Sequence, residues 1–202
     1  MNPGQAKLIF PGAAEAWLLA LITEMPRWGI DTPNEEASFC AQIGHESRGL
    51  TVFEENLTYS VSRLMQVWPK RFPDLAAALP YAHNPEALAE RLYGGRMGND
   101  QVGDGCRYCG RGPVMLTGKD NYIEAGKALG IDLVGHPTFL LIPKVGAQVA
   151  CWYWRTRGLD AWDDDNDVRA ETRLVQGGTL GLAERQREFD RVLKILKTTE
   201  AT

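Results

Sequence analysis

The chain has 202 residues, 44% of them hydrophobic and 24% charged. That is enough apolar material for the core of one domain, or of one domain with a sizeable subdomain, and it excludes a disordered chain. A formal charge of -4 leaves no broad basic surface, so no nucleic-acid partner is expected.

The first apolar run, Ala16 to Ile22, follows Glu15, has no basic stretch before it and is too short to cross a bilayer. It reads as part of a buried helix from Ala13 to Met25, and no membrane insertion is expected. With no signal peptide in view, synthesis in the cytoplasm is expected. Cys40, Cys106, Cys109 and Cys151 would be mostly reduced there, and no disulfide scaffold is expected. Helical periodicity then predicts helices over Pro33 to Ser47, Ser60 to Trp68, Pro85 to Tyr93, Tyr122 to Leu129, Pro143 to Arg157 and Ala183 to Lys197. Thr51 to Tyr59 and Gly112 to Thr117 are the best strand candidates. The expected class is therefore mainly α (α+β), with a small β hairpin or sheet. Residues 1–202 are read as a single domain. Pro69, Pro73, Pro80 and Pro85, then Gly94-Gly95-Arg96-Met97-Gly98, mark a loop-rich stretch. Residues 61–105 are expected to form either a smaller lobe beside a cleft or an insertion with no part in binding.

The densest chemistry follows Thr32. Thr32-Pro33-Asn34-Glu35 fits a capping box with proline at the first helical position, and Gly49 is a natural stop. Phe39, Ile43 and Glu46 fall at steps of four and three, so Glu46 continues the apolar stripe near the negative end of the helix dipole. Both effects favour a protonated carboxyl, which a general acid requires. The plain alternative is a structural carboxylate bonded to buried backbone or to an arginine such as Arg48. After the turn, an extended Thr51 to Tyr59 puts Glu55 on one face with Phe53, Leu57 and Tyr59, and Glu54 on the other. Glu55 is therefore the candidate second carboxylate, and Glu54 reads as a solvated surface charge. His45-Glu46 invites comparison with His-Glu-x-x-His zinc sites, but Gly49 stands where the second histidine belongs. No metal and no cofactor are expected.

Further on, Gly110-Arg111-Gly112 precedes Pro113-Val114-Met115-Leu116 and Thr117. Glycines allow close backbone approach and a terminal hydroxyl can hold a water, although Gly-Arg-Gly is equally a common turn. Cys106 and Cys109 have the spacing of half a zinc knuckle or of a redox dithiol, without two further ligands in similar context. Asp163 to Asp167 hints at calcium but has Val168 and Leu174 where an EF-hand needs glycine and glutamate. Trp152, Tyr153 and Trp154 lie in an apolar helix and read as core; Trp162 is likewise left out of the site.

Together these segments resemble glycoside hydrolase family 19, the fold of plant-type chitinases and many phage endolysins. The resemblance rests on Gln42-Ile43-Gly44-His45-Glu46-Ser47, Glu55-Asn56-Leu57-Thr58-Tyr59-Ser60, Gly110 to Thr117, Asn121-Tyr122, and Gly177-Gly178 followed by Gly181-Leu182 and Arg185. It spans roughly Ile30 to Phe189 in unbroken order. It implies a bilobal lysozyme-like fold, with Glu46 matching the general acid, Glu55 the general base and Thr117 the hydroxyl residue that helps hold the attacking water. Asn121 matches a sugar-contacting asparagine. Tyr59, Ser60, Gln176 and Arg185 complete the expected substrate-binding set, Arg185 also as a support for the acid–base network. Met115 stands where the family often has glutamine, and Gln176 where asparagine often precedes Gly-Gly, which bears on sugar recognition. The endolysin branch is the nearer resemblance. It implies a monomer made in the cytoplasm of a bacterial host that, after release, cuts β-1,4 bonds of peptidoglycan glycan strands with inversion. A chitinase acting on N-acetylglucosamine polymers and a non-catalytic wall-binding module are the alternatives.

Overall fold

The computed structural model describes residues 1–158, 168–176, 178 and 181–198. Among them the chain forms α1 (Pro3–Ile9), α2 (Glu15–Glu24), α3 (Pro33–Glu46), α4 (Val61–Val67), α5 (Leu75–Ala78), α6 (Pro85–Tyr93), α7 (Asp104–Arg107), α8 (Lys119–Leu129), α9 (Pro143–Thr156), α10 (Val168–Gln176) and α11 (Leu182–Thr198). The mainly helical expectation holds, and the seven predicted helices all form. Asp163 to Asp167 and Trp162 lie outside the described residues.

The predicted β hairpin does not form among the described residues. Two isolated bridges stand in its place: Glu54 with Arg111 links the two segments, and Arg111 with Leu116 closes the second on itself. Gly112 at φ 76° and Met115 at φ 49° put the apolar run after Gly110 into a tight turn instead of a strand. The turn is nevertheless tied to the extended segment, since Glu55 N donates to Gly110 O at 2.9 Å and Gly112 N donates to Phe53 O at 2.8 Å.

Three apolar clusters hold these helices. In the first, α3 packs along α11, and Phe39 and Ile43 of α3 meet Phe189 and Val192 of α11, with Trp154 of α9 edge-on to Phe39 at 5.4 Å. A second cluster gathers Leu57, Leu64, Phe72, Leu88, Leu92 and Cys109, giving the 61–105 segment its own packed centre. The third joins Tyr108, Leu116, Tyr122, Leu140, Val149 and Trp152. Trp152 and Trp154 are thus core residues, at 4% and 2% exposure.

Helix α3 begins where the sequence indicates. Glu35 N donates to Thr32 Oγ1 and Thr32 N donates to Glu35 Oε2, each at 3.2 Å. Its end is set by the turn beyond it: Arg48, Gly49 and Leu50 all have positive φ. Buried Ser47 ties the turn down, donating to Ile43 O at 2.6 Å and accepting from Leu50 N at 3.0 Å. A leucine in the left-handed region costs on the order of 1 kcal/mol. Leu50 is 1% exposed, and the burial of its side chain offsets that cost. Glu46 is consequently the last residue of a rigid helix.

Candidate active site

Glu46 lines a cleft of about 680 Å³ together with Arg48, Val52, Glu54, Glu55, Asn56, Thr58, Tyr59, Ser60, Arg63 and Met115. Two carboxylates singled out in the sequence, 46 and 55, therefore open onto one space. Arg48 and Arg63 put positive charge on its walls although the chain as a whole is acidic.

Glu46 does not sit in an apolar pocket. Arg185, one turn into α11 and 1% exposed, donates through one terminal nitrogen to Glu46 Oε1 and through the other to Gln42 Oε1. The arginine partner weighed for Glu46 is thus present, but it is Arg185 and not the exposed Arg48. Arg185 is correspondingly no sugar contact. It is a buried cation that fixes the orientation of Glu46, 139 residues away in the chain. Gly181 begins this turn for a steric reason: at φ 76°, a Cβ there would lie 2.7 Å from the His45 ring. His45 packs against this corner, and desolvation, then the Arg185 charge, hold its pKa below the ordinary value of 6.5.

Glu55 has different partners. The Tyr93 hydroxyl donates to its Oε1 at 2.6 Å, and the Gly110 N–H approaches its Oε2 at 3.4 Å. Thr117 also lies close to Gly110. A Cβ built on that glycine would lie 3.3 Å from Thr117 Oγ1 and 3.4 Å from Glu55 Oε2, so both oxygens border the space that the missing side chain leaves. The Thr117 hydroxyl donates to Met115 O at 2.8 Å, which directs its lone pairs outward. Glu54 is the more exposed of the two, as strand parity predicts, but it is not merely solvated. It accepts from Arg111 Nε at 2.8 Å, and Arg111, 8% exposed, also donates to Arg107 O at 2.7 Å.

The other expected sugar contacts fare unevenly. Tyr59 lines the cleft, with its ring 5.1 Å from that of Trp68. Ser60 lines it too, but its hydroxyl is the N-cap of α4, accepting from Arg63 N at 3.3 Å. Asn121 is engaged at both ends of its amide: it donates to Thr117 O at 2.7 Å and accepts from Arg157 at 2.7 Å. Its observed work is to brace the segment that carries Thr117. The side chain of Gln176 lies outside the described residues. Tyr93, Arg63 and Arg157 went unnoticed in the sequence, because the groups that give them meaning are remote in the chain.

The four cysteines are free thiols. Burial pushes the Cys109 thiol up to about 11 and raises that of Cys106, so neither is poised as a thiolate. Among the described residues no group of His, Cys, Asp or Glu is arranged to hold a metal ion. No described helix is long and apolar enough to cross a membrane.

Paired carboxylates opening onto a cleft with tyrosine and arginine on its walls are the equipment of a glycoside hydrolase. Comparisons with known proteins place the chain further. The family model for class I chitinases, that of glycoside hydrolase family 19, matches residues 29–161. Over 179 residues the chain is 38% identical to a Haemophilus influenzae glycosyl hydrolase family 19 domain-containing protein, the match covering 88% of each chain. It is 27% identical over 157 residues to an endochitinase of Gossypium hirsutum, covering 72% of this chain and 46% of that one. Among solved structures, chitinase C from Streptomyces griseus superposes with a TM-score of 0.67 at 22% identity, over 97% of this chain and 76% of that chain. A bacterial family 19 chitinase gives 0.60 at 26% identity, over 96% and 94%. The chain belongs to glycoside hydrolase family 19 and has that family's mainly helical, lysozyme-like fold.

Proposed function

We propose that this hydrolase is an endolysin that cuts the β-1,4 bonds of peptidoglycan glycan strands, with Glu46 as general acid and Glu55 as general base. The observation that carries the mechanism is the convergence of Glu55 Oε2 and Thr117 Oγ1 on the space beside Gly110. A water held there has an acceptor in the carboxylate and a second partner in the hydroxyl, so Glu55 can take its proton as it attacks. Glu46, whose Oε1 is held by Arg185, would carry its proton on Oε2 and deliver it to the leaving oxygen. The guanidinium then stabilises the carboxylate that remains. Attack by a water between the two acids inverts the anomeric centre, which calls for carboxyl groups roughly 6.5 to 9.5 Å apart.

Two features favour peptidoglycan over chitin. Arg48 and Arg63 on the cleft walls suit the anionic lactyl and peptide groups of peptidoglycan, which chitin lacks. Met115 also lines the cleft, at the position where the family often has a glutamine, which alters the contact offered to the sugar. The chitinase reading draws support from the relatives named as chitinases. Mass spectrometry of the products decides between them. Turnover of purified peptidoglycan well above that of soluble chitin oligomers, with new reducing ends at one kind of amino sugar, is the expected result. Turnover of chitin alone would make the chain a chitinase, and binding without turnover of either would make it a wall-binding module.

A further inference from the structure

We infer that Tyr93 is a positioning residue for Glu55: its hydroxyl holds Oε1 so that Oε2 is the oxygen presented to the water space beside Gly110 and Thr117. This rests on the assignment of Glu55 as the base. The terminal torsion of a glutamate is broad and nearly two-fold, so an unrestrained carboxylate would offer either oxygen in many orientations. A donor at 2.6 Å removes that freedom, and the distance is in the range of a charge-assisted O–H···O⁻ bond. Burial, and then the Glu55 charge, push the phenol well above its usual range, so it remains a donor at any working pH.

The glycine-rich motif after Tyr93 accounts for how the phenol is held. Tyr93 is the last residue of α6, and the chain then turns through Gly94 to Asn99. Asn99 is 1% exposed; its Nδ2 donates to Tyr93 O at 3.0 Å and its Oδ1 accepts from Lys119 N at 2.9 Å. One buried amide thus buckles the end of α6, in the 61–105 segment, to the start of α8, two residues beyond Thr117. Gly98 permits the fit: a Cβ there would lie 2.2 Å from Asp120 Oδ1, while Asp120 N donates to Met97 O at 3.0 Å. Tyr93 and Thr117, the partners of the base and of the water, are therefore held in register by the same loop.

Other titratable groups around Glu55 are Tyr59 and Cys109, the Glu54–Arg111 pair, and Glu46 and Arg63 along the cleft. None of them donates to Oε1 among the described residues, so removing the phenol oxygen should be felt by Glu55 directly. Tyr93→Phe, assayed on soluble glycan oligomers across pH and normalised to folded protein by its melting curve, is expected to lower kcat on the order of tenfold with KM within about twofold. Because only the donor that orients Oε1 is lost, the loss should fall on kcat per folded molecule and leave KM in place. A purely structural tyrosine would lower the melting temperature and leave kcat per folded molecule unchanged. Glu55→Gln is run in parallel. If Glu55→Gln is inactive and Tyr93→Phe keeps full kcat, the inference about Tyr93 falls alone. If Glu55→Gln turns over normally, the base assignment falls and takes the inference with it.

Discussion

Replacing Glu46 by glutamine perturbs two things at once, and the structure separates them. The amide cannot protonate the leaving oxygen, and it also removes the negative partner of Arg185, whose side chain is 1% exposed against 24% for Glu46. Stripping one member from a fully buried pair costs about 3 to 5 kcal/mol. Here the amide oxygen can still accept from Arg185, and water reaches the position, so a cost of about 1 to 3 kcal/mol is expected. For a chain of this size that lowers the melting temperature by roughly 2 to 12 °C. Turnover of purified peptidoglycan at room temperature, where the variant stays folded, should nevertheless fall by about 100-fold or more, the usual contribution of a general acid. Calorimetry and product analysis on the same preparation test both parts. An unchanged melting temperature would mean that the ion pair does not form in solution, and turnover above about a tenth of wild type would mean that Glu46 is not the acid.

Glu55→Gln should be as damaging to turnover as Glu46→Gln. Glu54→Gln should leave turnover near wild type and cost under about 1 kcal/mol in chemical denaturation, because its ion pair with Arg111 has one half-exposed partner; equal losses at both positions would undo the parity argument. Thr117→Ala should lower kcat less than either glutamate change, and Thr117→Ser should be mild, since the hydroxyl survives; a fully active alanine variant would remove Thr117 from the mechanism. His45 has a pKa held below 6.5 in the folded chain, first by desolvation and then by Arg185. Below pH 6.5 the unfolded chain therefore binds the extra proton first, so this contribution to stability is complete above the unfolded value and is lost as pH falls. Melting temperatures recorded from about pH 7 to about pH 5 should decline less steeply for His45→Gln, by a small margin because solvent screens the ring; parallel curves would contradict the shift.

Helices with strong local punctuation were legible in the sequence. Thr32, Pro33 and Glu35 mark the start of α3, and Pro85 opens α6 at the predicted residue. The short helices α5 and α7, four residues each, fall below the length at which a 3.6-residue period can be read, and α1 is barely longer. The stretch Gly112 to Thr117 misled for a physical reason. A short apolar run reads as a strand, yet Gly112 and Met115 take positive φ, and the run serves a partly buried turn. At the site, strand parity separated Glu55 from Glu54, but no local pattern could reveal hydrogen bonds that span 38 residues from Tyr93 to Glu55 or 139 from Arg185 to Glu46. Ser60 and Asn121 illustrate the converse. The family resemblance implied sugar contacts for them, while in the structure capping and backbone bonds engage their side chains.

Those remote bonds give the two carboxylates a shared design with different chemistry. Each has Oε1 held by a protein donor, Arg185 for Glu46 and Tyr93 for Glu55, and in the proposed mechanism each works through Oε2. The donors differ in charge, and the difference suits the direction in which each group changes. Glu46 ends the step as an anion, so a fixed cation beside it stabilises charge as it develops. Glu55 begins as an anion and loses its charge on accepting the proton. A full cation there would oppose that change strongly, whereas a neutral phenol orients the carboxylate while opposing it less. Arg185 reaches Glu46 through the α3–α11 packing, and Tyr93 reaches Glu55 from α6, beside a separate apolar cluster. The spacing between acid and base therefore depends on how those two clusters are joined, and buried Asn99, bonded to both Tyr93 and Lys119, is one of the joints.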